Sequence, residues 1–203
     1  MADIMIDIET MDSATTAAVV AIGARVFTKE KIGKGFEVYI DPTSAALIGT
    51  TGRETMEWWR KQRNFDQVFS GKNAPAAAFH ALLSFIQEHK ATRVWAYSPQ
   101  FDVIILRHMA RQVGLKFPFT YKDERDARTL IKLAGDHGLE LKDCWNEVGK
   151  HLPLDDATAQ AKAIHRILNR VSFTSLSTQS QPDVERSPAS PEPPIPGLLL
   201  TQR

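Results

Sequence analysis

Three short stretches carry side chains whose types and spacing could do chemistry. In the first, Asp3-Ile4-Met5-Ile6-Asp7-Ile8-Glu9-Thr10, isoleucine recurs at every second residue. That is the period of a β-strand, so Asp7 and Glu9 share the opposite face about 7 Å apart. Two carboxylates side by side on a strand of core composition repel each other and lose hydration. Either this end of the strand faces water, or a bound divalent cation removes both costs. In the second stretch, Ser98-Pro99-Gln100-Phe101-Asp102, Ser98 is an expected N-cap and Pro99 a first helical residue, which puts Asp102 in the opening turns of a helix. Open α/β sheets build sites at such a place, beyond the carboxyl end of a strand, although an acid there also compensates the helix dipole. The third stretch, His151-Leu152-Pro153-Leu154-Asp155-Asp156-Ala157, precedes an apolar stripe of Ala157, Ala161, Ile164, Leu168 and Val171. The stripe has helical period, so Asp155 and Asp156 are expected to cap that helix and His151 to lie on the loop before it.

The elements that must position these groups read as an α/β layer arrangement. Strands are expected over 3–10, 18–27 and 35–40, a meander of three leading antiparallel strands. Residues 53–63 read as a helix carrying Trp58, Trp59 and four basic side chains. Neighbours on a helix point about 100° apart, so the two indoles cannot both enter one core, and one is left to stack on a base or to lie under a loop. A longer helix over 75–90, with Phe79, Leu82, Leu83 and Ile86 at helical spacing, leads to a strand over 92–97 and a helix ending near Val113. Residues 124–133 read as another helix, with Arg125 and Arg128 on one face suited either to a phosphate or to neighbouring acids. A short helix is expected over 141–148. Helix, strand and helix in succession imply a mixed central sheet with a parallel crossover.

With 203 residues, 43% of them hydrophobic and 24% charged, the chain suffices for one packed domain with a remainder. From Ser172 onward the composition changes: the last 32 residues hold six of the eleven prolines and six serines. The expected division is therefore a domain over 1–171 and a flexible Ser/Pro-rich tail over 172–203. A formal net charge of +1 excludes a global basic field, so any contact with nucleic acid is local. Cys144 is the only cysteine, which fits a reducing compartment. No stretch approaches the ~20 apolar residues of a membrane span. The expectation is a soluble cytoplasmic protein with no membrane contact.

Asp-x-Glu on the first strand, Phe-Asp at the start of a middle helix and His-x4-Asp before the last long helix occur in that order. Over residues 1–171 this pattern resembles the DEDDh exonucleases, the DnaQ-like, RNase H-like 3′–5′ exonucleases. Glu9-Thr10, Glu57-Trp58-Trp59 and Leu154-Asp155-Asp156-Ala157 are similar in wording to the phage exonuclease A and RNase AS branch. The resemblance implies an RNase H-like α/β fold, with Asp7, Glu9, Asp102 and Asp156 holding two divalent cations, Mg²⁺ or Mn²⁺, and His151 as general base. Carboxylate oxygens suit such hard cations, and a pair of ions stabilises the attacking and leaving oxygens at phosphorus. The spacing in the family selects Asp156 over Asp155. One departure is Ser98-Pro99-Gln100 where many relatives carry Asn. The implied reaction releases nucleoside 5′-monophosphates from the 3′ end, with RNA slightly favoured over DNA, on a single strand or a 3′ overhang. Thr10, Met11, Trp58 and Trp59 would contact the terminal nucleotides, and a homodimer is compatible with the branch. The alternatives are an exodeoxyribonuclease of the same chemistry or a module that binds nucleic acid without cutting it.

Overall fold

The structure, a computed structural model, describes residues 1–145 and 151–170. Its centre is a mixed sheet of five strands in the order β3-β2-β1-β4-β5. Strand β1 (Ala2–Thr10) pairs antiparallel with β2 (Val19–Phe27), which pairs antiparallel with β3 (Ile32–Tyr39). On its other side β1 pairs in parallel with β4 (Ala91–Ala96), and β4 in parallel with β5 (Glu124–Asp126). The leading meander and the parallel crossover expected from the sequence are both present.

The alternation in β1 separates two cores. Ile4, Ile6 and Ile8 enter the larger one, with Phe79 and Leu82 of the long helix that precedes β4 and Ile105 and Leu106 of the helix that follows it. Met5, on the other face, joins Phe27, Trp95, Ala161 and Ile164. Asp7 and Glu9 therefore point to the face covered by the last helix.

Around the sheet, α1 (Pro42–Ala46), α2 (Arg53–Trp59) and α3 (Phe65–Val68) are short, α4 (Pro75–Glu88) and α5 (Asp102–Gln112) follow the expected periodicity, and α6 (Ala127–Asp136) and α7 (Pro153–Arg170) complete the set. Three expectations need correction. Residues 124–126 are strand rather than helix, because Glu124, Arg125 and Asp126 pair with Val94, Trp95 and Ala96. Helix α6 starts only where the Asp126 carboxylate accepts the Thr129 N–H. Second, α5 begins at Asp102, not Pro99: the Ser98 carbonyl, rather than its hydroxyl, takes the N–H groups of Phe101 and Asp102 in a preceding turn. Third, Asp155 and Asp156 lie within the first turn of α7 rather than capping it, since α7 starts at Pro153. Of the helix expected over 141–148, a single 3₁₀ turn spans Lys142–Trp145. Its remainder and the tail over 172–203 lie outside the described residues.

Gly23 sets how closely α7 approaches. It pairs with Asp7 across the sheet, and a Cβ there would fall 2.0 Å from the Pro153 carbonyl carbon and 2.2 Å from the Leu154 nitrogen. Only a residue without a side chain lets the start of α7 rest on β2 beside Asp7. The Arg25 guanidinium then donates to the Thr158 hydroxyl at 2.9 Å and to the Gly33 carbonyl at 3.2 Å, tying α7 to β2 and to the start of β3.

Candidate active site

Asp7, Glu9, Asp102, His151 and Asp156 line one pocket of about 350 Å³ on the α7 side of the sheet. The strand period delivers Asp7 and Glu9 together. Asp102 arrives from the start of α5 because β4 pairs with β1 only as far as Met5 opposite Trp95. Beyond that point the Ile8 N–H needs another acceptor, and Asp102 Oδ1 takes it at 3.3 Å. One buried hydrogen bond thus docks the third carboxylate on the backbone between the first two. Asp156 enters from the first turn of α7, where its Oδ2 reaches back to accept the His151 N–H at 3.1 Å.

His151 itself has φ +62°, a left-handed conformation that a residue with a side chain adopts at some cost. Three contacts hold it there. Asp156 takes its N–H, Asn64 Nδ2 donates to its carbonyl at 2.9 Å, and the Trp58 ring packs edge-on against the imidazole with centroids 4.8 Å apart. In that position one imidazole nitrogen and one carboxylate oxygen each from Glu9 and Asp156 lie within 4.8 Å of one another.

The electrostatics follow from putting four acids together in a partly dry pocket. Burial, then the charges of Asp156 and Asp102, push the Glu9 carboxyl up to about 8. Burial likewise raises Asp102 to about 7, opposed by the N–H groups it accepts and by Arg128. Asp7 is raised well above the ordinary carboxylate range by burial and by Asp102, Glu9 and Asp156 in turn, opposed by a hydrogen bond from Gln160. Asp156 is raised mainly by burial and lowered by the His151 N–H. Such a set of hard oxygen donors, held against its own repulsion, fits divalent cations.

Gln160 and Arg128 are among the further residues that line the pocket. Gln160 Nε2 donates to Asp7 Oδ1 at 2.9 Å, and its Oε1 is buried with no hydrogen-bond partner. Its signal in the sequence was position: one helical turn after Asp156, it shares that residue's face. Arg128 lies with its guanidinium 4.8 Å from the centre of the Tyr97 ring, whereas Arg125, its expected companion, sits in β5 and donates to the carbonyls of Lys122 and Glu124.

The substrate contacts expected from the sequence fall apart by burial. Trp59 is 2% exposed, and its indole N–H donates to the Thr10 carbonyl at 2.8 Å. It is a core residue that fixes the end of β1, and the expectation that it contacts a nucleotide is corrected on that ground. Trp58, 42% exposed, is the indole left over by the 100° step. The Thr10 side chain is buried, with its hydroxyl donating to the Asp12 carbonyl, and Met11 packs against the larger core.

The family model described as the 3′–5′ exoribonuclease Rv2179c-like domain matches residues 2–168. No curated protein matches the sequence. Among solved structures, the nuclease domain of 3′hExo, a DEDDh family member bound to rAMP, superposes with a TM-score of 0.59 at 12% identity, covering 82% of this chain and 91% of that one. E. coli exonuclease I in complex with a dA16 oligonucleotide gives 0.61 at 11% identity over 83% of this chain. Its zinc-bound form with single-stranded DNA gives 0.61 at 12% over 81%. The chain spans only 42% and 39% of those two exonuclease I chains. At such identities the likeness establishes the RNase H-like fold.

Proposed function

The chain belongs to the Rv2179c-like family of 3′–5′ exoribonuclease domains, and on that footing we propose that it shortens single-stranded RNA from the 3′ end, releasing nucleoside 5′-monophosphates. The observation that supports this reading is the convergence of four carboxylates and one imidazole, from β1, α5, α7 and the loop before α7, on one pocket. Asp7, Glu9, Asp102 and Asp156 would hold two Mg²⁺ or Mn²⁺ ions. These would supply Lewis acidity for the attacking and leaving oxygens and offset the repulsion among the four acids.

The remaining roles belong to the chain itself. His151, whose imidazole nitrogen lies within 4.8 Å of a carboxylate oxygen each of Glu9 and Asp156, accepts the proton of the water that attacks phosphorus. The terminal phosphodiester then breaks, and the 3′-oxygen of the shortened strand leaves and takes up a proton. Gln160 fixes Asp7 through Oδ1, leaving Oδ2 directed elsewhere. Trp58 offers an exposed face near His151 for a terminal base.

Paired digestion of 5′-labelled RNA and DNA of one sequence, with Mg²⁺, with Mn²⁺ and with EDTA, tests the reading. Metal-dependent 3′ shortening with RNA faster is expected, whereas faster DNA would make the enzyme an exodeoxyribonuclease. Asp7→Ala, Glu9→Ala, Asp102→Ala and Asp156→Ala should each cut at least ~1000-fold slower while folding normally. Full activity in His151→Ala would remove it as the base.

A further inference from the structure

Beside the acid pocket runs a larger groove of about 880 Å³, with His151 on the wall of both. Its other wall is the segment between α2 and α3, including Lys61 and Arg63, together with α3, whose Asp66 is the one acid of the lining. Both cationic side chains are exposed, and neither enters an ion pair among the described residues. Elsewhere on the surface, Arg53 pairs with Glu57 at 2.8 Å and Arg166 with Asp143 at 2.6 Å. The hollow between Lys29 and Arg170 is also basic, but it shares no residue with the acid pocket.

We propose that this groove is the seat of the nucleotides upstream of the 3′ end, with Lys61 and Arg63 on their phosphates. The proposal rests on the exonuclease reading above, and it adds where the rest of the substrate lies. Charge argues for it first. A nucleic acid carries one negative charge per nucleotide, and the acid pocket repels every phosphate that is not held there by a cation. The strand leaving the pocket then meets Lys61 and Arg63, exposed cations that enter no ion pair among the described residues, whereas Arg128 on the pocket wall packs over Tyr97. Continuity argues for it second, because His151 is common to both hollows. Size is the third argument, since the groove has more than twice the volume of the acid pocket and has room for more than the single nucleotide the pocket takes. Trp58, three residues before Lys61, stands at the junction with its ring against His151. A cationic track next to an exposed indole is the combination that binds single strands without reading their sequence.

The test compares wild type with the double variant Lys61→Ala, Arg63→Ala and with the charge reversal Lys61→Glu, Arg63→Glu. Both sites are exposed, and circular dichroism checks that the variants fold. On a single-stranded decanucleotide, kcat/KM should fall about tenfold in the alanine variant, through KM, and further in the reversal. On the p-nitrophenyl ester of a nucleoside 5′-monophosphate, which has nothing to place in the groove, the change should stay below about twofold. Fluorescence anisotropy of a labelled decanucleotide in EDTA, where nothing is cut, should show the same order of affinities. The slope of log affinity against log salt should shrink by about 1.4, as expected when two contacts to single-strand phosphates are lost. Equal losses on the ester and the decanucleotide, or unchanged anisotropy, would overturn the groove assignment while leaving the exonuclease reading in place. Decanucleotide binding that depends on Lys61 and Arg63, without cleavage in Mg²⁺ or Mn²⁺, would instead uphold the groove and remove the enzyme.

Discussion

Glu9→Gln should stabilise the metal-free protein, increasingly as pH rises from about 4.5 to about 8. The Glu9 carboxyl has an ordinary value of 4.5 and is pushed to about 8 in the fold by burial and by Asp156 and Asp102. Below pH 4.5 it is protonated in folded and unfolded chains alike, and its contribution to stability is fully present. Between 4.5 and about 8 the folded chain holds a proton that the unfolded chain has released, so stability falls as pH rises through that window. The full displacement corresponds to a ceiling of about 5 kcal/mol, and about 3.5 kcal/mol of it lies between pH 5 and pH 8. Repulsion is shared among four acids, so neutralising one of them relieves only part. We expect the Gln variant to gain about 2 kcal/mol on wild type between those two pH values.

For a chain of this length that is roughly 4–8 °C in Tm. Thermal melts of both proteins in EDTA at pH 5 and pH 8 measure it directly. Added Mg²⁺ or Mn²⁺ at pH 8 should reverse the order, because a ligand that binds the folded state raises its stability with the logarithm of its affinity, and on the proposed reading the variant has lost a donor. A Gln variant that melts below wild type at pH 8 in EDTA, or by the same margin at both pH values, would refute the reasoning that ionising Glu9 in the fold costs stability.

Three other outcomes follow from the same geometry. Gly23→Ala places a Cβ 2.0 Å from Pro153, so α7 must lift; stability should fall by about 2 kcal/mol in urea unfolding, and nuclease activity by more than the unfolded fraction explains. Asn64→Ala releases the His151 carbonyl, and steady-state kinetics should show kcat reduced about tenfold with KM little changed, since the residue acts through the position of His151. Arg93→Ala strips the buried Asp3 carboxylate of its two-pronged partner, bonded at 2.6 and 2.9 Å; urea unfolding should show a loss of about 3 kcal/mol, with kcat of the folded enzyme unaffected.

What was legible in the sequence depended on whether a local period carried it. Ile4, Ile6 and Ile8 alternate because one face of β1 is core, and that alone put Asp7 and Glu9 on a common face. The stripe Ala157, Ala161 and Ile164 placed α7 in the same way. Residues 124–126 were misread because three residues hold no period, and their strand state comes from pairing with β4, a neighbour about 30 positions earlier. The tryptophans divided as the 100° step requires, but which one enters the core depends on the Thr10 carbonyl that Trp59 meets. Gly23 and Gln160 carried no motif at all. Each matters through a contact made only after folding, one with Pro153 and the other with Asp7.

Those two contacts explain why the pocket depends on α7 more than on the sheet. β1 and α5 already join Asp7, Glu9 and Asp102 through the Ile8 N–H. Docking α7 adds a fourth carboxylate, and that addition contributes to raising Asp7 and Glu9. Without cations, then, electrostatics oppose the docking of this helix start, while the apolar stripe, the bare surface of Gly23 and the Arg25–Thr158 hydrogen bond favour it. On the proposed two-cation reading, cations would offset the repulsion and remove the opposing contribution, which would make cation binding and the seating of His151 and Asp156 one linked equilibrium. Because the same helix start brings in His151, the condition that satisfies the acids also puts the imidazole in place.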